Sequence, residues 1–556
     1  MESPNPYQPH DVSMGMQPNF SQPPTNNSGL VDPASDIAPN RDTPDPGSPV
    51  ARTIALIAVI VLVGAVMLVQ QLSNVTPPPS KEKVEVKAPA GFTPIEGQIY
   101  AYVKYWGFME SFAPTPNSGP NATPPGFVGN LDQGKTAIID GIRTVRGNDL
   151  EEVRSAMAVA FVAGPEQGRD DLTAVQKSLE AKKKESQSSD PAATEEFPGL
   201  ENDINLALNV LDKGADSISA EENKSLVDRH GYFAKLLFVA DKPMGSSERT
   251  ALTEGGGKMI GLLVLLVVFL FLISIAAITC FIIAMVRLGS GKIKPKFKAP
   301  LPGGSIFLES LAVFAAGFLT LKVGMDLFAG GTGGPGGAAA PSMIAGVLSM
   351  ILQWGLLLTV FWPRLRGVPM SELSRRIGWT KGDGVMKEIG AGIFAYFATL
   401  PIFLLVVLIM LAVMFLSAAA SGLGGGGAEP MQPPENPVFD AIGSGNPLVL
   451  GMLFLLATMW APFVEESLFR GGLFRHLRSR MGVLLAALLS TIAFGVMHNY
   501  PWMLLAPVMT LGFNFALMRE WRGSLIAPMF AHAMHNGTVL TIAYFAISTL
   551  SVPKVT

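Results

Sequence analysis

The chain has 556 residues, enough for several domains, and is 49% hydrophobic with only 15% charged residues. That balance is too apolar for an ordinary soluble enzyme and suits a multi-pass membrane protein. The net charge of −3 offers no basic footprint for nucleic acid. The single cysteine, Cys280, excludes a disulfide framework, a Cys-based zinc site and a Cys nucleophile.

Residues 1–50 are rich in Pro, Asn, Ser and Asp and lack apolar periodicity, which predicts a disordered, solvated tail. An apolar run over 53–73, inside a 51–75 segment, is long enough to cross a bilayer. It begins after fifty polar residues, exceeds a signal-peptide core, and is followed at 75–79 by a poor cleavage site, so it reads as a signal anchor.

Residues 76–257 are soluble in character and acidic, with 19 Lys+Arg against 27 Asp+Glu. Their periodicity is helical. Val153, Met157, Ala160 and Phe161 share a face, as do Leu172, Val175 and Leu179, and Ile204, Ala207, Leu208 and Leu211. Ser219 and Glu222 form a capping-box pattern ahead of Leu226, Phe233 and Leu237, and 182–191 reads as a polar linker. His230 stands alone and reads as a packed or solvated histidine rather than a ligand.

A second span over 259–286, within 258–290, is followed at once by Lys292, Lys294, Lys296 and Lys298. The positive-inside rule puts this end in the cytoplasm, so the N-terminus is cytoplasmic and 76–257 is an inserted extracytoplasmic domain. Within 301–556, spans are expected near 305–328, 341–362, 388–419, 447–470, 482–500, 502–518 and 524–549, with Gly/Pro-rich connections at 330–340 and 421–447. The basic clusters Arg364/Arg366, Arg375/Arg376, Arg475/Arg478/Arg480 and Arg519/Arg522 fall on alternate connections, on the side of Lys292. The expected fold is all-α: a nine-span polytopic membrane helix bundle carrying the helical extracytoplasmic domain.

Chemistry concentrates in the last spans. Glu465 and Glu466 sit in an apolar helix, and a carboxylate at membrane depth costs roughly 2.5–3.5 kcal/mol, which marks a functional site. Glu466 and Arg470 are spaced i,i+4 on one face, whereas Glu465, one residue away, is expected to face elsewhere. His532 and Asn536 share the i,i+4 spacing, as do Phe494 and His498; His535 lies beside them. Glu465 lies 15 residues before Arg480 and His498 lies 18 after it, so at about 1.5 Å per residue the two differ in height by only ~5 Å.

A carboxylate base, imidazoles that orient water, and an Asn amide or protonated His as oxyanion donor fit amide hydrolysis. Two His, a Glu and an Asn equally suit a zinc site with one open position, with His498 and His532 as the ligands; a metal-free, Glu-activated water is as readily drawn. No carboxylate lies close enough in sequence to orient either histidine. A transporter using the carboxylates as a proton relay is disfavoured, because no pair of repeat-related broken helices is visible.

The motifs Glu465-Glu466-x-x-x-Arg470, Phe494-x-x-x-His498 and His532-x-x-x-Asn536, with Arg522-Gly523-Ser524-Leu525-Ile526-Ala527-Pro528 before the third, resemble the signatures of the CPBP intramembrane protease family. That family includes CAAX prenyl endopeptidases and Abi-type bacteriocin-processing or immunity proteins. The resemblance covers about 301–556 and is most secure over 447–540. It implies a helical bundle hydrolysing a peptide bond in an intramembrane chamber, with Glu465 as base and Glu466, Arg470, His498, His532 and Asn536 completing the site. The implied partners are membrane lipids and a protein or peptide substrate, with a further partner conceivable for 76–257. The other member type it admits is a non-cleaving binding or immunity protein.

Overall fold

The computed structural model describes residues 43–73, 94–112, 131–145, 147–189, 197–332, 343–423, 442, 446–498, 500 and 505–550. Residues 1–42 of the tail expected over 1–50, the 75–79 stretch and most of both Gly/Pro-rich connections lie outside these residues, whereas 44–50 are ordered by the contacts of Asp45 and Pro46 and by the helix that starts at Pro49. Among the described residues every regular element is a helix, and the protein is an all-α polytopic bundle.

Between the first and second apolar helices, eight helices build a domain with its own core: Pro94–Glu110, Leu131–Thr144, Asp149–Ala163, Pro165–Ser189, Leu200–Lys213, Ala220–His230, Tyr232–Phe238 and Ser247–Thr253. Asp149–Ala163 is central. Every residue from Ala156 to Val162 is buried, as expected for a helix apolar on all sides. Its start is fixed by a capping box between Asn148 and Glu151, and the expected Ser219–Glu222 box caps Ala220–His230. The expected linker at 182–191 is instead helical through Ser189. Lys, Glu, Ala and Gln are good helix formers, and Lys182 and Lys183 are held by Asp149 and Glu201.

His230 is packed, not solvated: its Nε2 lies 3.1 Å from Asp203 Oδ2, which Arg229 also contacts, and its Nδ1 is buried. Arg154 bonds Glu96 and the Arg229 carbonyl beside it. Burial, only partly offset by Asp203, holds the imidazole below its ordinary value of 6.5. The unfolded chain therefore takes up this proton first as pH falls. The stability of neutral His230 is fully present above about pH 6.5 and is lost as pH drops through the lower folded value. Thermal melts from pH 7.5 to 5 are expected to show an acid-labile step that His230→Gln removes; an unchanged pH slope in that variant would refute the assignment.

Six described helices are long and apolar enough to cross a membrane: Pro49–Val69, Ser247–Gly289, Ile306–Met325, Gly346–Leu365, Val385–Ser417 and Pro447–Arg478. The sequence reading expected nine. Val483–Val496 is apolar but short, while Leu505–Arg522 and Ile526–Leu550 carry too many polar groups. Those groups are turned inward: Arg519, Glu520 and His532 are all buried. The second apolar helix instead exposes an almost unbroken run from Leu262 to Leu272, a surface suited to lipid. It leaves the eight-helix domain at Gly256, where an added Cβ would collide with the Lys104 carbonyl oxygen, so only glycine permits the approach.

The first apolar helix, Pro49–Ser73, packs into the bundle. Its Ala55, Val59 and Val66 share a core with Phe307 and Leu311 of Ile306–Thr332 and with Trp460 and Val464. The preceding residues are clamped as well. Asp45 accepts from Arg475 at 2.8 Å and from Arg376 at 2.9 Å, and the Pro46 carbonyl accepts from the Ser305 and Ile306 amides. The basic connections meet at this end: Arg480 reaches Gly303, Arg366 reaches Glu309, Arg478 pairs with Glu520, and Lys296 and Arg522 share Asp383. These basic residues and their acidic partners thus lie close together.

Candidate active site

Three helices position the candidate residues: Pro447–Arg478, Val483–Val496 and Ile526–Leu550. The first is not a regular α-helix. It widens into π-helical turns at Leu456–Trp460 and Glu466–Phe474, with Pro462 between them. Such widenings recur at functional sites. The Ala461 amide bonds the Leu456 carbonyl, and position 462 is proline without an N–H. The Ala457 carbonyl is left without a backbone donor, and Asn536 Nδ2 supplies one at 2.8 Å. Asn536 was expected to point into the site; one of its two amide hydrogens instead braces the glutamate helix.

Glu466 and Arg470 form a fully buried pair at 2.9 Å. The second arm of the guanidinium donates to the Gly512 carbonyl at 2.9 Å, and its face lies 4.2 Å from the Phe494 ring centroid and 5.4 Å from that of Phe515. The same Glu466 Oε1 lies 3.0 Å from His532 Nδ1. The sequence reading found no carboxylate to orient a histidine, because Glu466 is 66 residues away along the chain. A carboxylate accepts, so Nδ1 carries the proton and Nε2 is turned outward. That Nε2 is 3.9 Å from Glu465 Oε2. The two glutamates therefore flank one imidazole; Glu465 does not face elsewhere. The imidazole lies between the two side chains, with one ring nitrogen toward each carboxylate, so a step of about 100° along the helix does not part them.

His498 Nδ1 donates to the Phe494 carbonyl at 2.8 Å, which likewise leaves Nε2 as the open nitrogen. Its ring meets Phe494 edge-on at 4.6 Å, and Phe515 stacks on His532 at 5.2 Å. Glu465 and His498 share a cavity of about 210 Å³ with Phe314, Phe318, Gln353, Trp460, Phe469 and Met497. Glu465 Oε2 is buried with no hydrogen-bond partner. His535 is elsewhere, packed between Tyr396 and Phe403. The sequence reading missed the cavity wall from Phe314, Phe318, Gln353 and Trp460. Gln353 alone carried a signal, as a polar side chain inside an apolar run.

His498 and His532 each keep Nε2 open, as zinc ligation would need. Among the described residues, however, no group of three or more His, Cys, Asp or Glu converges as a metal site.

Residues 447–538 match the family model described as Type II CAAX prenyl endopeptidase Rce1-like, consistent with a CPBP-family C-terminal region. The matched stretch holds all three motifs. No curated protein and no solved structure matches the chain.

Proposed function

We propose that the protein is an intramembrane endopeptidase in which Glu465 activates water for attack on a peptide carbonyl. The observation that carries this reading is the division of labour between adjacent glutamates. Glu466 Oε1 is shared by Arg470 and His532, whereas Glu465 lines a cavity with His498, its Oε2 without a hydrogen-bond partner and 3.9 Å from His532 Nε2. Glu465 takes the water proton as the new C–O bond forms. His498, with Nε2 open, carries a proton to the leaving amine as the C–N bond breaks. His532, held by Glu466, orients the water. The apolar walls exclude bulk solvent and strengthen each polar contact inside. The CAAX-type family match favours a prenylated C-terminal peptide as the substrate to try first. Membrane proteomics of wild type against Glu465→Gln tests the reading, with accumulation of uncleaved substrate expected. A binding or immunity protein that does not cut would keep its phenotype in that variant.

Two further features belong to this reading. Because Glu465 activates the water directly, cleavage is expected to survive exhaustive chelation. Stoichiometric zinc with chelator-sensitive, zinc-restored activity would instead make His498 and His532 ligands. The basic end is cytoplasmic, as is the N-terminus, and the acidic helical domain lies on the opposite side. With Cys280 replaced by Ala, cysteines at Ser225 and Ser371 are expected to label from opposite faces of sealed vesicles. Labelling from one face would overturn the orientation.

A further inference from the structure

We propose that the indole N–H of Trp460 is a hydrogen-bond donor to the carbonyl oxygen of the scissile peptide, and to the oxyanion it becomes. This rests on the protease reading and adds a residue to it. Trp460 is 2% exposed, lines the same cavity as Glu465 and His498, and its Nε1 has no hydrogen-bond partner. A buried indole N–H ordinarily finds an acceptor, and one that lacks an acceptor calls for an explanation. The indole can only donate, while ionised Glu465 can only accept. Two residues that line one cavity therefore carry unpartnered buried atoms of opposite sense, a donor and an acceptor, as water attack requires. The water donates its proton to Glu465, and the carbonyl π pair moves onto an oxygen that accepts from Trp460. The proton then reaches the amine as the C–N bond breaks and the oxygen's charge collapses back.

The donors expected from sequence are in part committed elsewhere. His532 directs its protonated nitrogen at Glu466, and Asn536 uses one amide hydrogen on Ala457. Trp460 ends the π-helical turn that contains Ala457, so the Asn536 brace holds the turn on which the indole is mounted. Asn536 thereby acts as a positioning residue for the indole.

The test uses the full-length protein in lipid nanodiscs and an internally quenched farnesylated peptide ending in a CAAX sequence. Trp460→Phe keeps an aromatic ring and removes the donor. It is expected to lower kcat by about 10²-fold with KM nearly unchanged. The unfolding midpoint should stay that of wild type, and Trp460→His, which restores an N–H, should recover part of kcat. An unchanged kcat, or a rise in KM alone, overturns the proposal. If Trp460→Phe does not fold, the indole signal itself decides. In ¹⁵N-Trp Glu465→Gln protein, peptide binding should move one indole N–H resonance downfield, and an unmoved set of indole signals rejects the role. Cleavage by Glu465→Gln would count against Glu465 as base, whereas an unmoved indole counts against Trp460 alone.

Discussion

Glu465→Gln is expected to lower peptide-bond cleavage by roughly 10²–10⁴-fold while leaving the bundle folded. The amide has nearly the shape of the carboxylate but cannot take a proton from water. Little structural loss accompanies the change, because Glu465 Oε2 has no hydrogen-bond partner in the fold. Glu466→Gln is the informative contrast. That side chain receives both Arg470 and the His532 Nδ1–H, so its replacement disturbs stability as well as rate. Cleavage of a quenched peptide and the thermal midpoint, measured on both variants, separate the two roles. A Glu465→Gln protein with wild-type activity would sink the assignment.

Much of this site was legible in the sequence because intramembrane polar residues are scarce and each must be satisfied. The i,i+4 spacing of Glu466 and Arg470 pointed to the buried pair, and matching helical heights brought His498 to the level of Glu465. What escaped was anything decided by a departure from α-helical geometry or by contacts far apart in sequence. The π-helical turns are invisible to a periodicity of 3.6, and one of them holds the Ala457 carbonyl that Asn536 serves. The Glu466–His532 contact joins helices with two others between them in sequence. The same limit explains the helix count. Leu505–Arg522 and Ile526–Leu550 fail a hydropathy test because of the buried polar groups that make them useful. The first apolar helix read as a signal anchor, and nothing local reveals that Asp45, just before it, docks on Arg475, 430 residues away.

Arg470→Met is expected to destabilise the bundle by about 3–5 kcal/mol, the range for breaking a buried ion pair from one side. Both members of the pair are fully buried, so Glu466 would be left charged without water or a counter-ion. The loss extends further, because the guanidinium also holds the Gly512 carbonyl and covers Phe494 and Phe515. Arg470→Lys should not rescue it fully: an ammonium is a point donor and cannot reproduce the fork that joins Glu466 to Gly512. Adding Glu466→Gln to Arg470→Met removes the stranded charge and should recover a substantial part of the stability. Activity should stay low in that double variant, because His532 no longer has a carboxylate to fix its tautomer. Denaturant unfolding of the four proteins in one detergent gives the coupling energy directly. A single Arg470→Met variant within about 1 kcal/mol of wild type would place the pair among weak surface-type bridges and remove its role as the fixed frame of the site.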